Sequence, residues 1–173
     1  MQQRQPQPRK RINMRNFTDI TVLLDRSGSM QSIQAAMESG FYEFLVGHRE
    51  IPSTRISLVQ FDKQDDHEVV YTALPVEDAP KLRLEPRGMT PLRDAICKAI
   101  DATGRRFNTM KESERPEKIL FIIITDGLEN ASHIYSVADV RERVTRQTNV
   151  YRWEFIFLGA NQDAVVEAEK LAF

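Results

Sequence analysis

The stretch DITVLLDRSGSM, residues 19–30, decides the architecture. Its first half, Asp19–Asp25, is short, apolar and β-branched, and reads as a buried strand ending at Asp25. Its second half is a polar turn in which Gly28 allows a sharp change of backbone direction. A helix follows, because Met30, Ile33, Met37, Phe41, Phe44 and Leu45 recur at helical spacing. Gly47 and Pro52 punctuate its end.

The same alternation continues outward. Arg55–Asp62 (RISLVQFD) and His67–Leu74 (HEVVYTAL) read as strands. The link between them, Lys63-Gln64-Asp65-Asp66, is too short for a parallel crossover and demands an antiparallel hairpin. Pro75–Gly88 is irregular, with room for a short helical turn. Thr90 then suits a helix N-cap and Pro91 the first helical position. Lys118–Asp126 (KILFIIITD) is apolar on both faces, as a central parallel strand should be. Val137, Val140 and Val144 mark another amphipathic helix, Tyr151–Leu158 a further strand, and Gln162–Leu171 a last helix. In that last strand Trp153, Phe155 and Phe157 read as core. The order β-α-β-β-α-β-α-β-α predicts an α/β fold, a Rossmann-like three-layer sandwich. Its central sheet is mostly parallel with one antiparallel edge strand, and helices cover both faces.

Composition agrees with one domain. The chain has 173 residues, 41% of them hydrophobic and 28% charged, within the ordinary range for a globular protein. The formal net charge of −1 gives no reason to expect nucleic-acid binding. Residues 1–16 read as a disordered basic tail, with Arg4, Arg9, Lys10 and Arg11 and no acid before residue 12. Residues 17–173 form the domain. The single cysteine, Cys97, excludes an intramolecular disulfide and reads as a small buried residue. No signal-like or membrane-spanning run is present, so the expected compartment is the cytoplasm, with no membrane partner.

In such sheets ligands bind beyond the carboxyl ends of the strands. Three loops meet there. Asp25, Ser27 and Ser29 stand at steps of two, so their oxygens can converge in a turn. Thr90 lies in Gly88-Met89-Thr90-Pro91, and Asp126 in Thr125-Asp126-Gly127. Carboxylates and hydroxyls suit a hard cation: Mg²⁺ first, Mn²⁺ or Ca²⁺ as alternatives.

On these residues the sequence resembles a von Willebrand factor A domain with a metal-ion-dependent adhesion site. Asp25, Ser27 and Ser29 match the D-x-S-x-S element, Thr90 the distant threonine and Asp126 the later aspartate. The closest likeness is to small standalone bacterial and phage members, on Asp25–Met30 and the stretch Trp153–Asp163. The resemblance implies that the three hydroxyls reach the metal directly and the two aspartates directly or through water. Few direct carboxylates leave the cation under-neutralised, and a helix N-terminus after Ser29 favours an anion. The implied function is a metal-dependent protein–protein interaction module with no catalysis. It binds a partner's Asp or Glu. The family's sheet usually has a sixth strand and a helix beyond it, and this chain stops where that strand should begin. The last strand is then expected as an open edge, available to a second copy.

Plainer readings stand beside these. Asp25 and Ser27 can cap a helix without metal, Thr90 can be an N-cap alone, and Asp126 can cap a turn. Arg26 is expected on the rim of the site, as a solvated side chain or a contact for an anionic partner. Asp62, Glu129, Asn130 and His133 border the site or are ordinary loop residues. The rival function is a metal-dependent phosphohydrolase or phosphotransferase with Asp25 as nucleophile. That class normally carries a second Asp two residues later, where this chain has Ser27. A serine hydrolase lacks its Gly-x-Ser-x-Gly elbow here, and a nucleotide-binding module its Gly-rich loop.

Overall fold

The computed structural model describes residues 17–51, 53–171 and 173; the basic tail, residues 1–16, lies outside them. Strand β1 (Thr18–Asp25) is buried almost throughout. It runs into a 3-10 turn over Gly28–Ile33 and then helix α1 (Gln34–His48). Strands β2 (Thr54–Phe61) and β3 (Glu68–Pro75) form the hairpin. Helix α2 (Leu92–Asn108), strand β4 (Lys118–Thr125), helix α3 (Val137–Tyr151), strand β5 (Glu154–Gly159) and helix α4 (Gln162–Leu171) complete the alternation.

The sheet order is β3-β2-β1-β4-β5. All pairs are parallel except β2 with β3. This is the α/β, mostly parallel, Rossmann-like sandwich expected from the alternation. β1 and β4 lie inside, which explains why both are apolar on both faces. One face packs Leu23, Phe61, Phe121 and Ile123 against Ile96 and Ile100 of α2 and Val140 of α3. The other packs Ile20, Val22, Leu58 and Ile122 against Met30, Phe41 and Leu45. Each such side chain stabilises by about 1.5–3 kcal/mol when fully buried. Trp153 stacks on Phe121 and meets Phe107 edge-on. Cys97 is buried in α2, and burial pushes its thiol up to about 12.

Three boundaries differ from expectation. The turn after Ser27 is 3-10, because the Met30 N–H closes back onto the Ser27 carbonyl. α1 therefore starts at Gln34 and not at Met30. α2 begins at Leu92 with Pro91 just outside, and the Thr90 hydroxyl caps nothing. Tyr151 closes α3, and the chain turns through a left-handed Arg152 (φ 58°) before β5. At the sheet's far side β5 leaves Ile156 and Leu158 exposed. Leu158 lines an apolar groove of about 490 Å³ with Ile33, Met37, Phe44, Ile122 and Ile124.

Candidate metal centre

Register places the site. β1 and β2 run in phase, so Asp25 sits opposite Phe61, and Asp62 is the next residue. β1 and β4 run in phase too, pairing Leu24 with Ile124 and leaving Asp25 beside Thr125. Asp25, Asp62 and Asp126 thus stand at the carboxyl ends of three adjacent strands.

Asp25 is fully buried. Its Oδ1 accepts the Ser27 N–H at 2.6 Å, and its Oδ2 accepts the Thr125 hydroxyl at 2.6 Å. Burial pushes its carboxyl up to about 6; the bonds from Thr125 and Ser27 offset this in part, and the Asp126 charge adds to it. Ser29 Oγ donates to Asp126 Oδ1 at 2.7 Å. Ser27 Oγ lies 3.1 Å from Ser29 Oγ and, with the Ser29 proton on Asp126, supplies the proton between them. A Cβ on Gly127 would lie 3.4 Å from Ser29 Oγ and 3.5 Å from Thr90 Oγ1, so Gly127 leaves open a cradle between these two hydroxyls. The structure therefore brings Asp25, Ser27, Ser29, Thr90 and Asp126 to one place.

Together they offer two carboxylates and three hydroxyls, all oxygen, a chemistry that fits Mg²⁺, Mn²⁺ or Ca²⁺. Among the described residues no group of three or more His, Cys, Asp or Glu is placed to hold a metal ion.

The sequence profile of the von Willebrand factor type A (VWA) domain matches residues 19–173. The chain belongs to this family. Among solved structures, the VWA2 paralog of ArnB from Sulfolobus acidocaldarius superposes with a TM-score of 0.57 at 20% identity. The match covers 91% of this chain and 40% of that one. The D319A mutant of the PilB minor pilin from Streptococcus sanguinis gives a TM-score of 0.59 at 10% identity, covering 94% and 61%. The chain thus spans less than two thirds of either protein, and both likenesses speak to fold. No curated protein sequence matches the chain.

Around the hydroxyl cradle of this VWA domain the rim differs from expectation. Arg26 is only 6% exposed and is not a rim side chain. Its Nε donates to Asp62 Oδ2 at 2.8 Å, and its Nη2 to Glu68 Oε2 at 2.5 Å. A guanidinium with two carboxylates behind it turns inward and leaves the rim. Asp62 is buried as well and is no surface-loop residue. Burial pushes its carboxyl up. The bond from Arg87, the N–H groups of Gln64 and Asp65, and the Arg26 charge together outweigh that and hold it below the usual range.

Glu129 is largely buried too. Its carboxylate accepts the N–H groups of Arg93, Ala131 and Ser132 and the Ser132 hydroxyl. With Ser132 Oγ accepting the Asp94 N–H, these groups cap α2 from another loop, which explains why Thr90 is free of that duty. Asn130 is exposed, and its Oδ1 accepts the Thr90 N–H at 2.8 Å while its own N–H donates to the Thr90 carbonyl. His133 is 79% exposed, its Nδ1 3.6 Å from Asp94.

The start of α1 at Gln34 also moves its positive end five residues from Ser29, and the dipole argument loses force there. Four residues were not singled out from the sequence: Thr125, Gly127, Arg87 and Asp94. Thr125 and Gly127 flank Asp126 and were legible as its neighbours. Asp94, fully buried, accepts the N–H groups of His133, Ile134 and Tyr135. Only its place in the first turn of α2 hinted at a role.

Proposed function

We propose that this VWA domain is a metal-dependent protein-interaction module whose metal-ion-dependent adhesion site is Asp25, Ser27, Ser29, Thr90 and Asp126. One observation carries the reading. Asp25 is a buried carboxylate whose partners are one N–H and one hydroxyl, and the Ser27 and Ser29 hydroxyls link its turn to Asp126. Among the described residues neither aspartate forms a salt bridge. Two buried acids without a counter-charge are costly unless a cation joins them. Mg²⁺ is the expected ion, with Mn²⁺ or Ca²⁺ as alternatives. When bound it supplies an open coordination position for an oxygen anion.

The chain's own residues do the rest. Thr125 and the Ser27 N–H orient Asp25, and the bonds between Asn130 and Thr90 hold the third hydroxyl in its loop. The ligand is a protein partner presenting Asp or Glu, in keeping with a family of protein-interaction modules. The compartment proposed is the cytoplasm. Self-association through the β5 edge is a further proposal, and a monomer by light scattering across the micromolar range counts against it. No observation favours the phosphohydrolase reading, because the position two residues after Asp25 is a serine without an acid–base group.

Calorimetry with Mg²⁺, Mn²⁺ and Ca²⁺ on the wild type and on Asp25→Ala tests the metal. Heat in the wild type that vanishes in the variant supports it; equal or absent heats overturn it. A pull-down with and without chelator then tests the partner, whose retention must depend on metal and on Asp25.

A further inference from the structure

Two of the three metal-site loops hang from one buried carboxylate that is not itself in the donor set. Asp62 Oδ2 accepts Arg26 Nε and Arg87 Nε, each at 2.8 Å. Its Oδ1 accepts the N–H groups of Gln64 at 2.6 Å and Asp65 at 3.1 Å, which pins the carboxylate to its own turn. Arg26 immediately precedes Ser27, and Arg87 lies three residues before Thr90. The backbones are stitched along the same line. The Arg26 N–H donates to the Phe61 carbonyl at 2.9 Å, the Arg87 N–H to the Arg26 carbonyl at 2.8 Å, and the Gly28 N–H to the Gly88 carbonyl at 3.0 Å. Gly88 adopts φ +71° to turn the second loop past Asp62 and Lys63, a conformation that favours glycine.

We infer that the Arg26–Asp62–Arg87 clamp sets the separation of the Ser27/Ser29 loop from Thr90 and thereby the preference of the site for Mg²⁺ over Ca²⁺. The inference rests on the metal reading above. The clamp has little net charge to lend: two guanidiniums face the carboxylates of Asp62 and Glu68. Its influence on a cation is therefore chiefly through position. Position matters unequally to the two ions. Mg²⁺ demands near-octahedral oxygens at about 2.0–2.1 Å, whereas Ca²⁺ accepts six to eight at roughly 2.3–2.6 Å in flexible arrangements. A held pair of loops serves Mg²⁺, and a loosened pair still serves Ca²⁺. Arg26, Asp62 and Arg87 are positioning residues.

The test is calorimetric titration of the chain with Mg²⁺ and with Ca²⁺, each alone, in the wild type and in Arg87→Ala. Arg87 is the half-exposed member, and its removal leaves the buried Arg26–Asp62 pair intact. Mg²⁺ affinity is expected to fall about tenfold or more, the range typical for lost supporting contacts at metal sites. Ca²⁺ affinity is expected to change by about threefold or less, because its coordination tolerates displacement. Arg87→Lys keeps the charge but loses the rigid fork, so it is expected to shift selectivity in the same direction. It also supplies the comparison if Arg87→Ala does not fold. Equal losses for both ions, or wild-type selectivity in both variants, overturn the clamp and leave the metal reading standing. A wild type that takes up neither ion overturns both.

Discussion

Asp25 and Asp62 end neighbouring parallel strands, one residue out of step, and both are buried. Their surroundings are opposite. Asp62 holds two guanidiniums and two backbone N–H groups and lies below the usual carboxylate range. Asp25 holds one N–H and one hydroxyl, faces a second acid, and is pushed up to about 6. The difference lies in where the counter-charge comes from. Asp62 is neutralised from within the chain and serves as a hub. Among the described residues Asp25 has no counter-charge, which is what the proposed cation would supply.

That contrast can be broken by substitution. Asp62→Asn leaves two guanidiniums facing a neutral amide and is expected to cost about 3–5 kcal/mol in urea unfolding, as for other broken buried pairs. Asp25→Asn is expected to act with the opposite sign. Without metal at pH 7.5 it removes an uncompensated buried charge, keeps an acceptor for the Ser27 N–H, and stabilises by about 1–3 kcal/mol. If both variants destabilise alike, the two aspartates are not different in kind. Thr125→Val removes one of the two donors to Asp25. It is expected to cost about 1–2 kcal/mol at pH 7.5 and less near pH 4, where Asp25 is protonated.

The two carboxyls also pull the pH profile of the metal-free protein in opposite directions. The folded pKa of Asp25, about 6, lies above its unfolded value near 4, so folding is favoured as pH falls from about 6 toward 4. The folded pKa of Asp62 is depressed. Its stabilisation is present above the unfolded value of about 4 and is lost as pH falls through the lower folded value. Urea midpoints in chelator should therefore rise on acidification from about pH 6 toward pH 4 and then drop. In Asp25→Asn the rise should be absent and the drop retained.

Much of this was legible in the chain. β1 and β4 announce themselves because a strand buried on both faces has no polar alternation, and the four-residue link dictates the hairpin. That Asp25 and Asp126 stand close was legible because parallel strands bring their carboxyl ends together, whereas Ser27, Ser29 and Thr90 were read from the motif. What escaped was decided at long range. Arg26 looks like a solvated side chain until its partners are known, and those partners lie 36 and 42 positions away. The capping of α2 by Glu129 and Ser132 likewise crosses more than thirty residues, so local preference placed the cap on Thr90. The 3-10 turn escaped because Met30 and Ile33 fit a helical stripe whether the turn is 3-10 or α.

The cation proposed at Asp25 is tested by Mg²⁺ calorimetry at pH 7.5 on the wild type and on Asp25→Asn, with the thermal midpoint of each recorded in chelator. A saturable heat is expected in the wild type only, and the variant is expected to melt higher than the wild type when metal is absent. Equal heats in both proteins, or none in the wild type, would contradict it.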